Sequence, residues 1–344
     1  MAVAYPGQNN TFVRDFESSG RLIVSFSRNP KTFALPKYIG ITPVKRTAGY
    51  YMKRLWDEQA RVLQTDSADF LWADGAVRPE GDTHIEGFEY LEFVCKRYAN
   101  SFTLGQLAAD QADHNIVAAH ASDAASRAMV QRTQRVATVL QTTGNWGSST
   151  DTAVNLGGNA TWSGSAVSDK FIKKGLMAAA KIIHKATNGV VTWKDIMLVL
   201  NPVLAEKLAR APEIHEYIKE SPFSMAQLRG DVESQNGIWG LPNELYGFKV
   251  VVEDAVKVTS KKGATRAEGF VFDDDKIVLC ARPGALVGIE GSPTFNTMTL
   301  FAQEEMTVET LNDVNNRRVM GSVVDTVSEI LTAPASGYLI TAVG

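Results

Sequence analysis

Five histidines, His84, His114, His120, His184 and His215, are all that this chain offers for acid–base work near neutral pH. His114 and His120 are six apart, a spacing that does not put them on one helical face. Asp110, Asp113 and His114 could share a metal, but carboxylates near a helix start also serve the helix dipole. His215-Glu216 lacks the second histidine of a zinc-protease helix. Asp273-Asp274-Asp275 lacks the later ligands of a calcium loop and reads as a solvated hairpin turn. Arg229-Gly230-Asp231 spells an adhesion tripeptide among turn residues. Cys95 and Cys280 fit no disulfide framework or metal spacing, and each sits in an apolar, strand-like run, so buried free thiols are expected. No Gly-rich phosphate loop, nucleophile elbow or zinc signature occurs. The sequence therefore predicts no catalytic residue, no metal and no cofactor, and a protein that is not an enzyme.

The bulk numbers narrow the class. A chain of 344 residues is long enough for two domains or one elongated one. No apolar run approaches the length that spans a membrane, and the N-terminus lacks the regions of a signal peptide. Two cysteines and no disulfide pattern point to synthesis in a reducing cytoplasm, so Asn159 in its Asn-x-Thr triplet is not expected to carry a glycan. Net charge is −3, but residues 1 to 54 hold nine basic and two acidic residues, a local +7 that leaves −10 for the rest. Pro6, Pro30, Pro36 and Pro43 punctuate that basic stretch and favour extended chain. It reads as an arm lying on an acidic surface, most simply another copy of the same protein. Its cations are spread out rather than gathered into a nucleic-acid stripe.

The elements around these residues come next. Residues 104 to 143 read as one helix, on the order of 55 Å long at 1.5 Å per residue. Thr103 and Gln106 have capping-box spacing at its start, and Gly144 can close its end in a left-handed conformation. Asp110 and Asp113 near the start, with Arg127, Arg132 and Arg135 towards the end, suit the dipole. The apolar stripe of Leu107, Ala112, Ile116, Ala119, Met129, Val136 and Leu140 is thin, so the helix is expected to be a strut rather than a bundle member.

Upstream of it, residues 50 to 64 suggest a short amphipathic helix using Tyr51, Leu55 and Val62. The acidic, turn-rich stretch 66 to 87 and the alternating strand from Phe88, with Leu91, Phe93 and Cys95 on one face, then make 50 to 102 a long projecting hairpin. Residues 144 to 167 form a Gly/Ser/Thr/Asn stretch too long to hide in a compact domain. It carries Trp146 and Trp162, costly to leave in water, and is read either as a loop docking on a neighbour or as a mobile surface loop. Ser168 caps a helix that stops at Asn188-Gly189, with Ile172, Leu176, Ala179 and Ile183 on one face. A buried strand at 195 to 200 follows, and Asn201-Pro202 starts another helix that stops before Pro212. Strands are expected within 247 to 255, 270 to 284 and 294 to 311, with a strand or helix at 319 to 331. The class is α+β without regular βαβ alternation or internal repeat.

Taken in order, the basic N-terminal arm, the long hairpin with an acidic tip, the strand Lys96-Arg97-Tyr98-Ala99-Asn100-Ser101-Phe102 running into one long helix, and Gly247-Phe248-Lys249-Val250-Val251-Val252-Glu253-Asp254 in an α+β domain resemble the major capsid proteins of tailed bacteriophages, the Hong Kong 97-like fold. The resemblance covers nearly the whole chain. It implies an N-terminal arm at 1 to 36, an extended loop and hairpin at 37 to 102, and a peripheral domain at 103 to 189 whose spine helix is 104 to 143. It also implies an axial domain at 190 to 290 and a return to the peripheral domain at 291 to 344.

The function implied is structural. Hexamers and pentamers of the chain would tile an icosahedral virion shell, assembled in the host cytoplasm around double-stranded DNA that is held only by weak nonspecific contact. A separate scaffolding protein, a portal and a decoration protein are the implied partners, with no membrane. Some relatives cross-link a Lys of the extended loop to an Asn next door. No Lys lies between Asp57 and Tyr90, so assembly here is expected to be non-covalent. The segment roles place inter-subunit contacts at Arg14, Arg21, Arg28, Lys31, Asp66, Asp69, Trp72, Arg78, Glu80, Trp146 and Trp162. An encapsulin-like bacterial compartment is the alternative within the fold, although its relatives tend to open with a cargo-binding helix where this chain has prolines. An enzyme with an unseen pocket is the alternative outside it.

Overall fold

The computed structural model describes residues 28–54, 72–77, 88–110, 115–153, 155–156, 171–219, 239, 241–261, 263–281 and 296–343. In chain order the elements are β1 (Gly40–Pro43), β2 (Ala48–Arg54), β3 (Phe88–Val94), β4 (Lys96–Gly105), α1 (Gln106–Asp110), α2 (Ile116–Gln141), β5 (Thr150–Thr152), α3 (Phe171–Ala186), β6 (Ile196–Leu200), α4 (Pro202–Arg210) and α5 (Pro212–Lys219). Then come β7 (Glu244–Leu245), β8 (Phe248–Val252), β9 (Val256–Val258), β10 (Glu268–Phe270), β11 (Ile277–Ala281), β12 (Thr299–Asp313), β13 (Arg318–Ile330) and β14 (Tyr338–Thr341). The described chain clusters into two compact units, one of residues 28–32, 99–129 and 306–324, the other of the remainder. No helix among the described residues is long and apolar enough to cross a membrane.

The larger unit is built on a six-stranded sheet of order β5-β14-β11-β6-β8-β7. β6 pairs antiparallel with β11 (Leu198↔Leu279) and parallel with β8 (Leu198↔Val250). Every residue of β6 and of β11 is buried, as the uniform apolarity of Ile196–Leu200 requires of a strand covered on both faces. Ile172, Leu176, Ala179 and Ile183 of α3 and Leu204 and Leu208 of α4 share one core with Leu198, Phe248 and Leu279. Local chemistry sets the helix ends. The Asn201 side chain accepts from the Leu204 amide, with Pro202 in the first turn. Asn188 (φ 50°) and Gly189 (φ 78°) turn left-handed after α3, and the Gly189 amide donates back to the His184 carbonyl. Buried Glu213 accepts from the Ile172 and Lys173 amides and from the Tyr246 hydroxyl, so a carboxylate from α5 caps α3.

In the smaller unit Phe102, Ala124, Ala128 and Val323 form the core, with Leu104, Val117, Ala121, Ala125 and Met306 against them. The Phe102 ring fills the space over Gly321, where a Cβ would collide with it. At the β12–β13 turn Asp313 accepts from Asn316 and Arg318, and these bonds hold its carboxyl below the usual carboxylate range.

Several expectations need correction. Residues 103 to 105 are strand, and the Gln106 amide bonds the Arg317 carbonyl, so Thr103 caps nothing. α2 spans 116 to 141, about 39 Å, and its start is marked by Asn115, which accepts from the Ala118 amide. Gly144 has no left-handed φ; α2 ends at Gln141, Thr142 is extended, and a 3-10 turn follows at Thr143–Asn145.

The arginines of α2 do not serve the dipole, because none lies in the last turn. Buried Arg132 grips buried Asp325 with two bonds, 2.6 and 3.2 Å, and reaches Glu305 at 3.0 Å. Arg135 bonds Asp325 and Glu329 and lies 3.7 Å over the Tyr98 ring. Burial opposes the Arg132 charge, but Asp325 and Glu305 outweigh it and hold the guanidinium above its ordinary value.

Residues 50 to 54 are strand, not helix, and 55 to 64 lie outside the described residues. Phe33, Ala34 and Leu35, expected in the arm, are buried in the larger unit, because three apolar side chains in a row find a dry site there. Nearby, Tyr38 donates to buried Glu253 at 3.0 Å and meets Phe272 edge-on. α3, β6, β11 and β14 contribute to one core. α5 follows Pro212 where no helix was expected, and 319 to 331 is strand.

Candidate assembly surface

The groups that could do chemistry are tied up structurally. Cys280 is fully buried, which pushes its thiol up to about 12, and burial also raises Cys95. Burial thus disfavours the thiolate of both. Asp273 pairs with Lys276 and Asp274 accepts from Asn201, so the acidic triplet is a solvated turn. His120 stacks on Phe102 and the His184 ring bonds the Val191 carbonyl. Among the described residues no three of His, Cys, Asp and Glu gather as metal ligands. His84, His114 and Arg229-Gly230-Asp231 lie outside those residues.

What stands out instead is a ribbon. β2 and β3 pair antiparallel from Ala48↔Val94 to Arg54↔Phe88, as a two-stranded sheet. The period of two sends Gly49, Tyr51 and Lys53 with Phe93, Leu91 and Glu89 to one face, and Ala48, Tyr50 and Met52 with Val94, Glu92 and Tyr90 to the other. The first face is anchored: Phe93 stacks on Phe301 at 4.5 Å, Tyr51 at 5.6 Å, and Gly49 leaves room for the Phe93 ring. Lys53 and Glu89 approach to 3.5 Å further out.

The second face is bare. Tyr50 is 72% exposed, Tyr90 67%, Met52 56% and Val94 53%. Two aromatic and two aliphatic side chains, with exposed Glu92 opposite Tyr50, make this face largely apolar, a patch of the kind that marks an interaction surface. An isolated two-stranded ribbon is marginal in water and needs a surface to pack on. In the smaller unit Val308, Leu311 and Val314 at the end of the β12–β13 hairpin are likewise exposed.

The predicted contact residues fare unevenly. Trp72 is exposed and its Nε1 donates to the Ala76 carbonyl within its own turn. Arg28 bonds Thr32, and Lys31 is exposed beside it on the same short turn. Trp146 is a correction. Its side chain is 1% exposed and its Nε1 donates to the Leu140 carbonyl, so it closes the end of α2 instead of docking on a neighbour. Arg14, Arg21, Asp66, Asp69, Arg78, Glu80 and Trp162 lie outside the described residues. The sequence reading missed Tyr50, Met52, Tyr90 and Val94. The available signal was the alternation in Ala48–Arg54, which the helix assignment concealed.

No family model matches the sequence, and no curated protein does. Solved structures do. A phage-related protein of Bordetella bronchiseptica RB50 superposes with a TM-score of 0.59 at 16% identity, over 91% of this chain and 92% of that one. The mature capsid of bacteriophage PhiM1 gives 0.54 at 9%, over 99% and 96%. A protein of Mycobacterium phage Bobi gives 0.52 at 11%, over 93% and 92%. The chain has the fold of phage capsid proteins.

Proposed function

We propose that this chain is a shell subunit of a phage head, whose copies assemble as hexamers and pentamers into an icosahedral shell around double-stranded DNA. The observation that carries the reading is the β2–β3 ribbon. It is anchored on one face and apolar on the other, in a fold shared end to end with capsid proteins. Burying Tyr50, Met52, Tyr90 and Val94 against a sister copy removes from water what a single copy leaves exposed. At roughly 1.5–3 kcal/mol per large apolar side chain, a few such contacts per subunit, repeated around a closed shell, are enough to drive assembly.

The role is structural rather than enzymatic, and the location is the virion. A separate scaffolding protein, a portal and a decoration protein are the partners this reading brings with it. Assembly is non-covalent, because the stretch between Asp57 and Tyr90 has no lysine to form an isopeptide.

Expression of the full chain followed by size exclusion and negative-stain electron microscopy tests this. Megadalton shells or capsomers are expected, dissociating to single chains on a boiled denaturing gel. Nuclease-resistant DNA in particles from infected cells is expected too. A small, inert oligomer would sink the proposal, and a protein cargo in place of DNA would move it to a bacterial compartment.

A further inference from the structure

The exposed face of α3 has a charge distribution that folding does not explain. Phe171–Ala186 contains Lys173, Lys174, Lys181 and Lys185 and no acidic residue. At about 100° per residue, Lys174, Lys181 and Lys185 fall within about 40° of one another, over about 16 Å of helix. They lie opposite the buried arc of Ile172, Leu176, Ala179 and Ile183. All three are exposed, and among the described residues none pairs with a carboxylate. Lys174 has only the ring of Phe171, 5.7 Å away on the same helix.

Lys185, in the last turn, suits the dipole, but the rest of the arrangement works against the helix. Lys174 sits near the positive end of the dipole, where a cation is disfavoured. Lys181 and Lys185 are four apart with like charge, which is also destabilising. A face chosen only for solubility would mix signs, as α4 does with Glu206 and Arg210. Like charges held together at a cost are offset when an anion sits over them. Three lysines and no arginine make a row of point charges. Such a row can meet a line of phosphates, which lysine binds as a point charge, and polyglutamate tests a carboxylate surface against it. The large apolar side chain exposed on α3, Ile182 at 37%, lies to one side of the row and not within it.

We propose that the Lys174–Lys181–Lys185 face of α3 is the surface on which this protein binds the phosphate backbone of duplex DNA. The proposal rests on the shell reading for its biological setting but not for its chemistry. With about three phosphates engaged, binding is weak and strongly dependent on salt, which suits a wall that contacts DNA without trapping it.

The test is fluorescence anisotropy of a labelled 30-base-pair duplex with the full chain in its dissociated form, from 50 to 200 mM salt. The logarithm of the association constant should fall with the logarithm of salt at a slope of roughly −2.7, so affinity drops roughly 40-fold over that range. The triple variant K174Q/K181Q/K185Q should lose the slope. Lys207→Gln on α4 should keep it. Circular dichroism establishes that both fold. An unchanged slope in the triple variant overturns the proposal, and so does binding of polyglutamate but not duplex, which would make the partner an acidic protein. Electron microscopy of the same preparations separates the two readings. Shells from the triple variant together with a lost slope support both. A lost slope from a chain that never forms shells keeps the DNA face and removes the shell.

Discussion

The six-stranded sheet and the β2–β3 ribbon belong to the same unit and draw on similar residues, yet they end in different environments. β6 is dry on both faces, with α3 and α4 packed on one of them. The ribbon is dry on one face only, where Phe93 and Tyr51 meet Phe301, and its other face shows Tyr50, Met52, Tyr90 and Val94 to water. The sheet is finished by its own chain. The second face of the ribbon is not covered by the described residues. Substitutions in the sheet should therefore be read as changes in stability of the single chain, and substitutions on the bare face of the ribbon as changes in association.

The comparison is broken most sharply in the middle of the sheet. Leu198 is fully buried between β8 and β11. Leu198→Ala is expected to cost about 2–5 kcal/mol, from lost transfer energy plus the cavity left behind, measured by urea unfolding of the dissociated chain. A loss under 1 kcal/mol would mean that the sheet core is not packed as described. Gly337 comes next. A Cβ there would lie 2.6 Å from the Leu279 carbonyl oxygen and 2.9 Å from the Trp146 ring. Gly337→Ala should cost about 1–3 kcal/mol through overpacking, seen as a lower urea midpoint at unchanged slope.

Alkaline pH probes the same interior. Burial raises the Cys280 thiol from 9.0 to about 12. Between those values the unfolded thiol ionises while the folded one does not, so stability is full below pH 9 and is lost as pH rises towards 12. Burial, reinforced by Glu253, likewise raises Tyr38, so its contribution begins to fall above pH 10. Cys280→Ala should move the onset of alkaline unfolding upwards, leaving in the thiol's range only what buried Cys95 contributes, as followed by circular dichroism. An onset that stays put would show that the thiol is not sealed.

The smallest expected change in single-chain stability comes from the ribbon. The double variant Y50S/Y90S should alter the unfolding free energy by no more than about 0.5 kcal/mol, as exposed positions usually do. The same variant should abolish particles in electron micrographs. Intact particles from it would sever the link between this face and assembly.

Much of the fold could be read locally. Asn201-Pro202 and Asn188-Gly189 mark the helix ends where the structure has them, because a cap needs only partners within a few residues. The buried run at 196 to 200 declares itself by uniform apolarity, and 248 to 252 does so apart from half-buried Lys249. The hairpin between 48 and 94 was visible as an element, but its exposed face was not. Whether Tyr50 or Tyr51 turns outward depends on Phe301, some 250 positions away, and a register shift of one residue reverses every side chain. The arginines of α2 mislead in the same way. Spacing alone makes them dipole partners, and only the approach of β13 turns Arg132 and Arg135 into the hydrogen-bonded partners of Asp325.

The sequence by itself determined the scarcity of catalytic groups, the α+β class, the order of segments that resembles capsid proteins, and the helix ends set by neighbouring residues. These depend on composition and on interactions spanning a few positions. The tertiary structure decided that Phe33, Ala34 and Leu35 belong to the body and that Trp146 seals α2. It also decided which face of the ribbon is left bare and that, among the described residues, no carboxylate pairs with the lysine row of α3. Each of those outcomes is fixed by what packs opposite a residue, and that partner is brought there from far along the chain.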